Sequence, residues 1–480
     1  MSFSEQALSA TLTGLLPVGA GRARDDIGVA LREQGSLPQS VVPPRLIVAL
    51  SGGLDSCVLL HAMHRVQHQF PAWRLAAIHV HHGLSPNADA WQAFCERTCI
   101  RLEIPLTVVR VHIERAAGAS LENLAREKRY EAFCQALDAG DCLLMAHHLD
   151  DQAETFLLRT LRGAGPRGLA AMPVSRQLGK GSLLRPLLSF TREDLEQWAR
   201  EQQLDFINDE SNTSLQFDRN YCRHEVLPKL AARWPGYRES WLRSAHLSAE
   251  ADGLLDELAE LDFASVTTAD PGTVRCGGFL PLSDARQRNL LRYWLREAGA
   301  GEPGWNLLTR MISEVLLVAS DAQPELRWQS GESVLTLRRH GGMLHLLPQW
   351  PLPDLAGIHS WNPFEVLLLA DNGSLHARPS GIGPARHGLR MIEGQQFTIR
   401  YRQGGEECQL TGRPRRALKK ILQEAGLAPW LRARLPLVYV DDELVCIPGV
   451  GVSEEWCAGP GETAWEIVWT PPQHDLSTRR

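Results

Sequence analysis

Between residues 44 and 236, four apolar runs each hand over to an amphipathic helical stretch: RLIVAL to DSCVLLHAMHRV, RLAAIHVHH to ADAWQAFCERTCIRL, LTVVRVHI to LENLAREKRYEAFCQAL, and CLLMAHH to DDQAETFLLRTLR. Strands that are apolar throughout need cover on both faces, and strands separated by helices pair in parallel. The pattern therefore predicts an α/β domain with a parallel sheet between helices. Such a sheet also says where to look for a ligand: outside the carboxyl ends of its strands.

At the first of those ends stands SGGLDS, residues 51–56. Gly52 and Gly53 admit backbone conformations that a side chain forbids, and they leave their amides open. Ser51, Ser56 and those amides make a donor cluster at a helix N-terminus, suited to phosphate oxygens. Asp55 is out of place in a pure anion site and makes sense if a divalent cation lies between it and the phosphates. No lysine follows the glycines, so this is not the G-x-x-x-x-G-K-[ST] loop. The second cue is HHLDDQAET, where Asp151, Glu154 and Thr155 share one helix face. Two carboxylates beside a triphosphate need an intervening cation, either Mg²⁺ or a substrate ammonium.

The string S-G-G-x-D-S after a β-run resembles the PP-loop of the N-type ATP pyrophosphatases. Together with RTLRGAGPRGLAAM, LLRPLL and DESNTSLQFDRN, it resembles the tRNA(Ile)-lysidine synthetase family over nearly the whole chain after residue 44. The resemblance implies that ATP adenylates the wobble cytidine of an isoleucine tRNA with a CAU anticodon, at the oxygen on carbon 2. Free lysine then displaces AMP to form lysidine, with Mg²⁺ assisting. It implies that Ser51, Gly52, Gly53, Leu54, Asp55 and Ser56 form the ATP loop, with Asp55 positioning Mg²⁺ or pyrophosphate. Asp151 serves metal or base, and Glu154 the lysine ammonium. Arg126 steadies the α-phosphate, and Arg219 is a functional arginine beside Arg223, which reads equally well as a salt-bridge partner. His81 and His82 end the second strand, where His81 is placed against adenosine. A homodimer is compatible with the family's habit.

The remaining sequence divides at WPGY (234–237) and again at the proline-rich QWPLPDL. We expect an extension over 1–43, partly helical early on, a catalytic domain over 44–236, a mainly helical domain over 237–345 and a small α+β domain over 346–480. The chain carries a net charge of −6, so a nucleic-acid partner needs a local basic patch. Residues 411–434 supply one, a local +6 from Arg413, Arg415, Arg416, Lys419, Lys420, Arg432 and Arg434 against Glu424. Pro414 suits a helix start there, and the stretch resembles the family's tRNA-binding element.

Ten scattered cysteines without C-x-x-C spacing read as reduced thiols, and Cys95 and Cys99 as core positions one helical turn apart. The same lack of paired cysteines argues against a base thiolase, and Ser2 against a glutaminase with an N-terminal nucleophile. The N-terminus is a poor secretion signal and no apolar run nears the ~20 residues of a membrane span, so a cytoplasmic location is expected.

Overall fold

The computed structural model describes residues 2–16, 43–113, 121–208, 214–319, 323–331, 333–382, 388–392 and 394–472. The chain divides into two compact units, Met1–Leu254 and Leu255–Arg480; the expected C-terminal domain and residues 255–345 of the expected middle domain fall in the second, while residues 237–254 belong to the first.

The first unit opens with helix α1 (Glu5–Leu15), capped by Ser4, whose hydroxyl accepts from the Ala7 amide. Strand β1 (Arg45–Ala49) leads into α2 (Leu54–Val66), β2 (Arg74–His81) into α3 (Ala88–Arg101), and β3 (Leu106–Arg110) into α4 (Leu121–Ala136). Then come β4 (Cys142–Leu144), α5 (Leu149–Leu161), β5 (Ser175–Leu178), β6 (Gly181–Leu184) and α6 (Arg192–Glu201). The sheet order is β3-β2-β1-β4-β6-β5; only the edge strand β5 runs antiparallel. Arg45 fastens the start of β1 to the β4 edge, its amide and Nε both donating to the Asp141 carboxylate.

Alternation along β1 sends Leu46 and Val48 to one core and Ile47 to the other, as period-two geometry requires. The first core holds α2, whose residues Cys57–Leu60 are fully buried, together with Cys95 and Cys99. Leu8 and Leu12 of α1 join it, and Phe3 meets Phe190 and Trp198 edge-on. The start of the expected extension is thus part of the catalytic unit's core. Residues 17–42 of that extension lie outside the described residues.

In the second unit, helices Asp284–Glu297 and Trp305–Met311 cover a four-stranded antiparallel sheet around Trp294, Leu337 and Leu344. Two further antiparallel sheets follow, packed around Trp361, Phe397, Val438 and Ile467.

The basic stretch differs from its expected form in two ways. The helix begins at Leu418 instead of Pro414, because Arg416–Ala417 is extended and pairs with Glu407–Cys408. Leu418, Ile421 and Leu422 form its buried face, while Lys419 and Lys420 are exposed. Arg434 is 1% exposed, donates to the Pro351 carbonyl and stacks 4.8 Å from Trp350. It is a core arginine and is not presented to RNA. Arg413 and Arg416 face Glu424, Arg415 faces Glu407, and Arg432 donates to the Leu427 carbonyl.

Candidate active site

The sheet order changes direction between β1 and β4, and a cavity of about 380 Å³ opens outside the carboxyl ends of β1, β2 and β4. Its floor is the turn after β1. Gly52 has φ +89°, and a Cβ there would stand 2.7 Å from Ile207 Cδ1. The Gly52 carbonyl accepts from the Ile207 amide at 2.9 Å, so a later segment braces the turn. Ser51 Oγ lies 3.1 Å from Ser56 Oγ and accepts from the Gly53 amide, while Ser56 Oγ donates to the Gly53 carbonyl. The buried Ser56 hydroxyl therefore fastens the turn. Leu54 is buried and lines the cavity. No side chain caps α2 at Gly53, which leaves first-turn amides for an anion.

Asp55 sits in that first turn. Burial raises its pKa, Oδ1 is buried without a hydrogen-bond partner among the described residues, and Oδ2 is 3.7 Å from His148 Nε2. His148 Nε2 is also 3.5 Å from Asp151 Oδ2, so the acids of the two motifs flank one imidazole.

Asp151 and Glu154 are held by arginines from the short helix Asp218–Tyr221 and the π turn Cys222–Val226 after it. Arg219 donates from Nε to Glu154 Oε2 at 2.7 Å and from Nη2 to Asp151 Oδ1 at 2.9 Å. Arg223 donates from Nε to Glu154 Oε1 at 2.6 Å and from Nη2 to Asp151 Oδ1 at 3.2 Å. Burial would raise the Asp151 pKa, but His148 and Arg219 hold it down at about 2. Glu154 is 1% exposed, has both oxygens engaged and is absent from the cavity wall. In this state it anchors arginines and does not face a substrate ammonium. Of the two arginines, Arg223 reaches the cavity and Arg219 stands behind it.

Arg126, expected at the α-phosphate, is exposed, stacks on Tyr130 and lies off the cavity wall; Arg129, nearly one turn further along α4, is on it. His81 and His82 line the cavity as expected, with His81 Nε2 3.2 Å from Asp89 Oδ1.

The sequence reading missed His79, His147, Arg192 and Asn208, which also line the cavity. Period two along β2 puts His79 on the face of His81, a signal that was available. Arg192 had only the T-x-x-D box that starts α6 to mark it.

The two histidines hold opposite tautomers. His79 Nδ1 meets the Leu50 carbonyl at 2.8 Å and must be the protonated nitrogen, leaving Nε2 an acceptor. His147 Nδ1 accepts from Arg185 Nε at 3.2 Å, so its proton resides on Nε2.

Burial pushes His147 down to about 4 from an ordinary value of 6.5. The unfolded chain thus takes up this proton before the folded chain does, and stability falls as pH drops from 6.5 to 4. Thermal melts should show His147→Gln losing less stability than the parent chain across that window. Equal slopes would mean that His147 is charged in the fold.

Among the described residues, no group of three or more His, Cys, Asp or Glu side chains is arranged to hold a metal ion. Mg²⁺ needs fewer protein ligands, because it commonly takes one or two carboxylates and completes its shell with phosphates and water. Asp55 Oδ1, without a partner among the described residues, fits that demand, whereas Asp151 Oδ1 is already taken by two guanidiniums.

Comparison with known proteins places names beside this geometry. Residues 30–230 match the PP-loop domain, 275–345 the TilS substrate binding domain and 397–469 the TilS substrate C-terminal domain. The chain is 41% identical over 429 residues to the tRNA(Ile)-lysidine synthase of Coxiella burnetii, covering 89% of this chain and 93% of that one. It is 42% identical over 426 residues to the enzyme of the same name from Serratia proteamaculans, covering 88% and 95%. No helix among the described residues is long and apolar enough to cross a membrane.

Proposed function

The chain belongs to the tRNA(Ile)-lysidine synthase family, and from that premise we propose how its cleft performs ATP-dependent formation of lysidine on an isoleucine tRNA. The substrates are ATP, free lysine and a tRNA with a CAU anticodon. The cytidine oxygen on carbon 2 bonds to the α-phosphorus and pyrophosphate leaves with the broken bond's electrons. The lysine ε-amine, having shed a proton, then bonds to carbon 2, and the oxygen departs with AMP. The product pairs with A, so codon specificity moves from AUG to AUA. The observation that carries this reading is the cavity that joins the glycine turn to Asp55 and Asp151 at the sheet's switch point.

Within it, the Ser51–Ser56 turn and the free amides of α2 receive phosphate oxygens. With no lysine in the loop, the wall arginines Arg129, Arg192 and Arg223 supply the positive charge. Asp55 would hold Mg²⁺, which when bound offsets the charge gathering on departing pyrophosphate. His79 Nε2 accepts from an exocyclic amine of adenosine, and His81 packs beside it. Asp151 takes the lysine ammonium when that group replaces Arg223 at Oδ1. The neighbouring guanidiniums then favour the neutral, nucleophilic amine. Glu154 keeps both arginines in place. A stacked cytidine hides its carbon 2, so the target base must leave the anticodon stack to reach the cavity.

The test is direct. Radiolabelled lysine should enter a CAU-anticodon isoleucine-tRNA transcript only with ATP and Mg²⁺ present, with AMP and pyrophosphate released. Release of ADP, or no incorporation by folded protein, would overturn the proposal.

A further inference from the structure

Tyr130 on α4 is wrapped by guanidiniums. Arg126 lies 5.3 Å and Arg176 5.0 Å from its ring centroid, the first from α4 itself and the second from the edge strand β5. Burial would raise the Tyr130 pKa, yet the field of Arg126, Arg185 and Arg176 brings it down. Arg185 is 4% exposed and is held by His147 and the Pro173 carbonyl. Arg159 donates to the Gly168 and Ala171 carbonyls. None of these four arginines has a carboxylate partner among the described residues, and Glu131, on the same helix, is taken by Lys128. Several other arginines in this unit are paired with acids: Arg45 with Asp141, Arg219 and Arg223 with Asp151 and Glu154, Arg238 with Asp150. Stacking on a ring leaves the positive charge in place, and gathering unpaired cations is unfavourable unless an anion joins them.

The cluster adjoins the cavity without being part of it. Tyr130 Oη donates to Met145 Sδ at 3.7 Å and Arg185 bonds His147; Met145 and His147 both belong to the cavity wall. None of the four arginines does. A mononucleotide inside the cavity would not need them, whereas a polynucleotide with one base inserted must lay its neighbouring phosphates on the adjoining surface. We propose that Arg126 and Arg176, braced on Tyr130 and backed by Arg159 and Arg185, form a clamp for the RNA phosphate next to the inserted nucleotide. The clamp rests on the functional reading above and adds a site to it, separate from the basic stretch at 411–434.

The test uses Arg176→Gln and Arg126→Gln in the full chain, with filter binding to the CAU transcript over a salt series and steady-state lysine incorporation. Both side chains are exposed, so folding should survive, and thermal melting checks it. Each variant should weaken tRNA binding and lower the salt slope by about 1. The KM for tRNA should rise by about tenfold, one charge-assisted contact, with the KM for ATP unchanged. Unchanged tRNA affinity and salt slope in both variants would overturn the clamp. So would a rise confined to the KM for ATP, which would mean that the guanidiniums hold nucleotide phosphate. If the parent chain incorporates no lysine while both variants still weaken tRNA binding and lower the salt slope, the functional reading fails and the phosphate contact of Arg126 and Arg176 stands.

Discussion

Asp55→Asn should reduce lysine incorporation by a factor of at least about 10²–10³ while leaving tRNA affinity and the fold intact. That is the scale on which removal of one aimed electrostatic group slows a reaction. The acid stands in the first turn after the glycines with Oδ1 buried and without a hydrogen-bond partner among the described residues. Burial raises its pKa, so near neutral pH the ionised side chain weakens the fold. A group kept at that expense serves something other than stability. Asparagine keeps the shape and loses the charge, so the melting temperature should hold or rise. Activity lost together with stability or tRNA binding would instead make Asp55 a structural residue.

Glu154→Ala should destabilise the first unit by about 3 kcal/mol, the low end of the usual penalty for removing one partner of a buried ion pair, because both arginines are partly exposed and keep Asp151. Its carboxylate receives Arg219 Nε at 2.7 Å and Arg223 at 2.6 and 3.0 Å, so truncation takes the nearer carboxylate from two guanidiniums at once and leaves them Asp151 alone. Glu154→Gln, which still accepts, should lose less. Adding Arg223→Met to Glu154→Ala should cost less than the sum of the two, because the bonds between Arg223 and Glu154 are lost once in either case. Urea unfolding followed by tryptophan fluorescence measures all three. If Glu154→Ala melts like the parent and only the KM for lysine rises, the carboxylate belongs to the substrate and the anchoring role is wrong.

These contrasts mark how far the sequence could be read. The β-turn-α at Ala49–Leu54 was legible because every signal in it is local: an apolar run, two glycines, a helix pattern. Asp151 and Glu154 were correctly placed on one helix face by their spacing. Their state was not legible, since it depends on arginines that come after residues 209–213 and meet the acids only in the fold. Arg434 misled for a similar reason. In a run of seven cations it reads as one more surface charge, but its partners Trp350 and Pro351 come from the preceding connector. Arg126 and Arg129 differ by three positions on α4, nearly one turn, and periodicity alone does not decide which one faces a cavity built by other strands. An early helix in the extension was expected, but its place in the core was hidden by the Gly-, Arg- and Pro-containing stretch between it and β1, whose composition reads as an extension.

The bond from the Ile207 amide to the Gly52 carbonyl has a bearing on how the protein is born. The glycine turn emerges early from the ribosome, whereas its brace is translated only after every strand of the sheet. A nascent chain can therefore assemble β1, β2 and β3 long before the turn acquires its final support. Nucleotide capture is thus deferred to a late stage of synthesis, so a ribosome-stalled fragment ending upstream of Ile207 carries the motif in its letters without the rigid cradle.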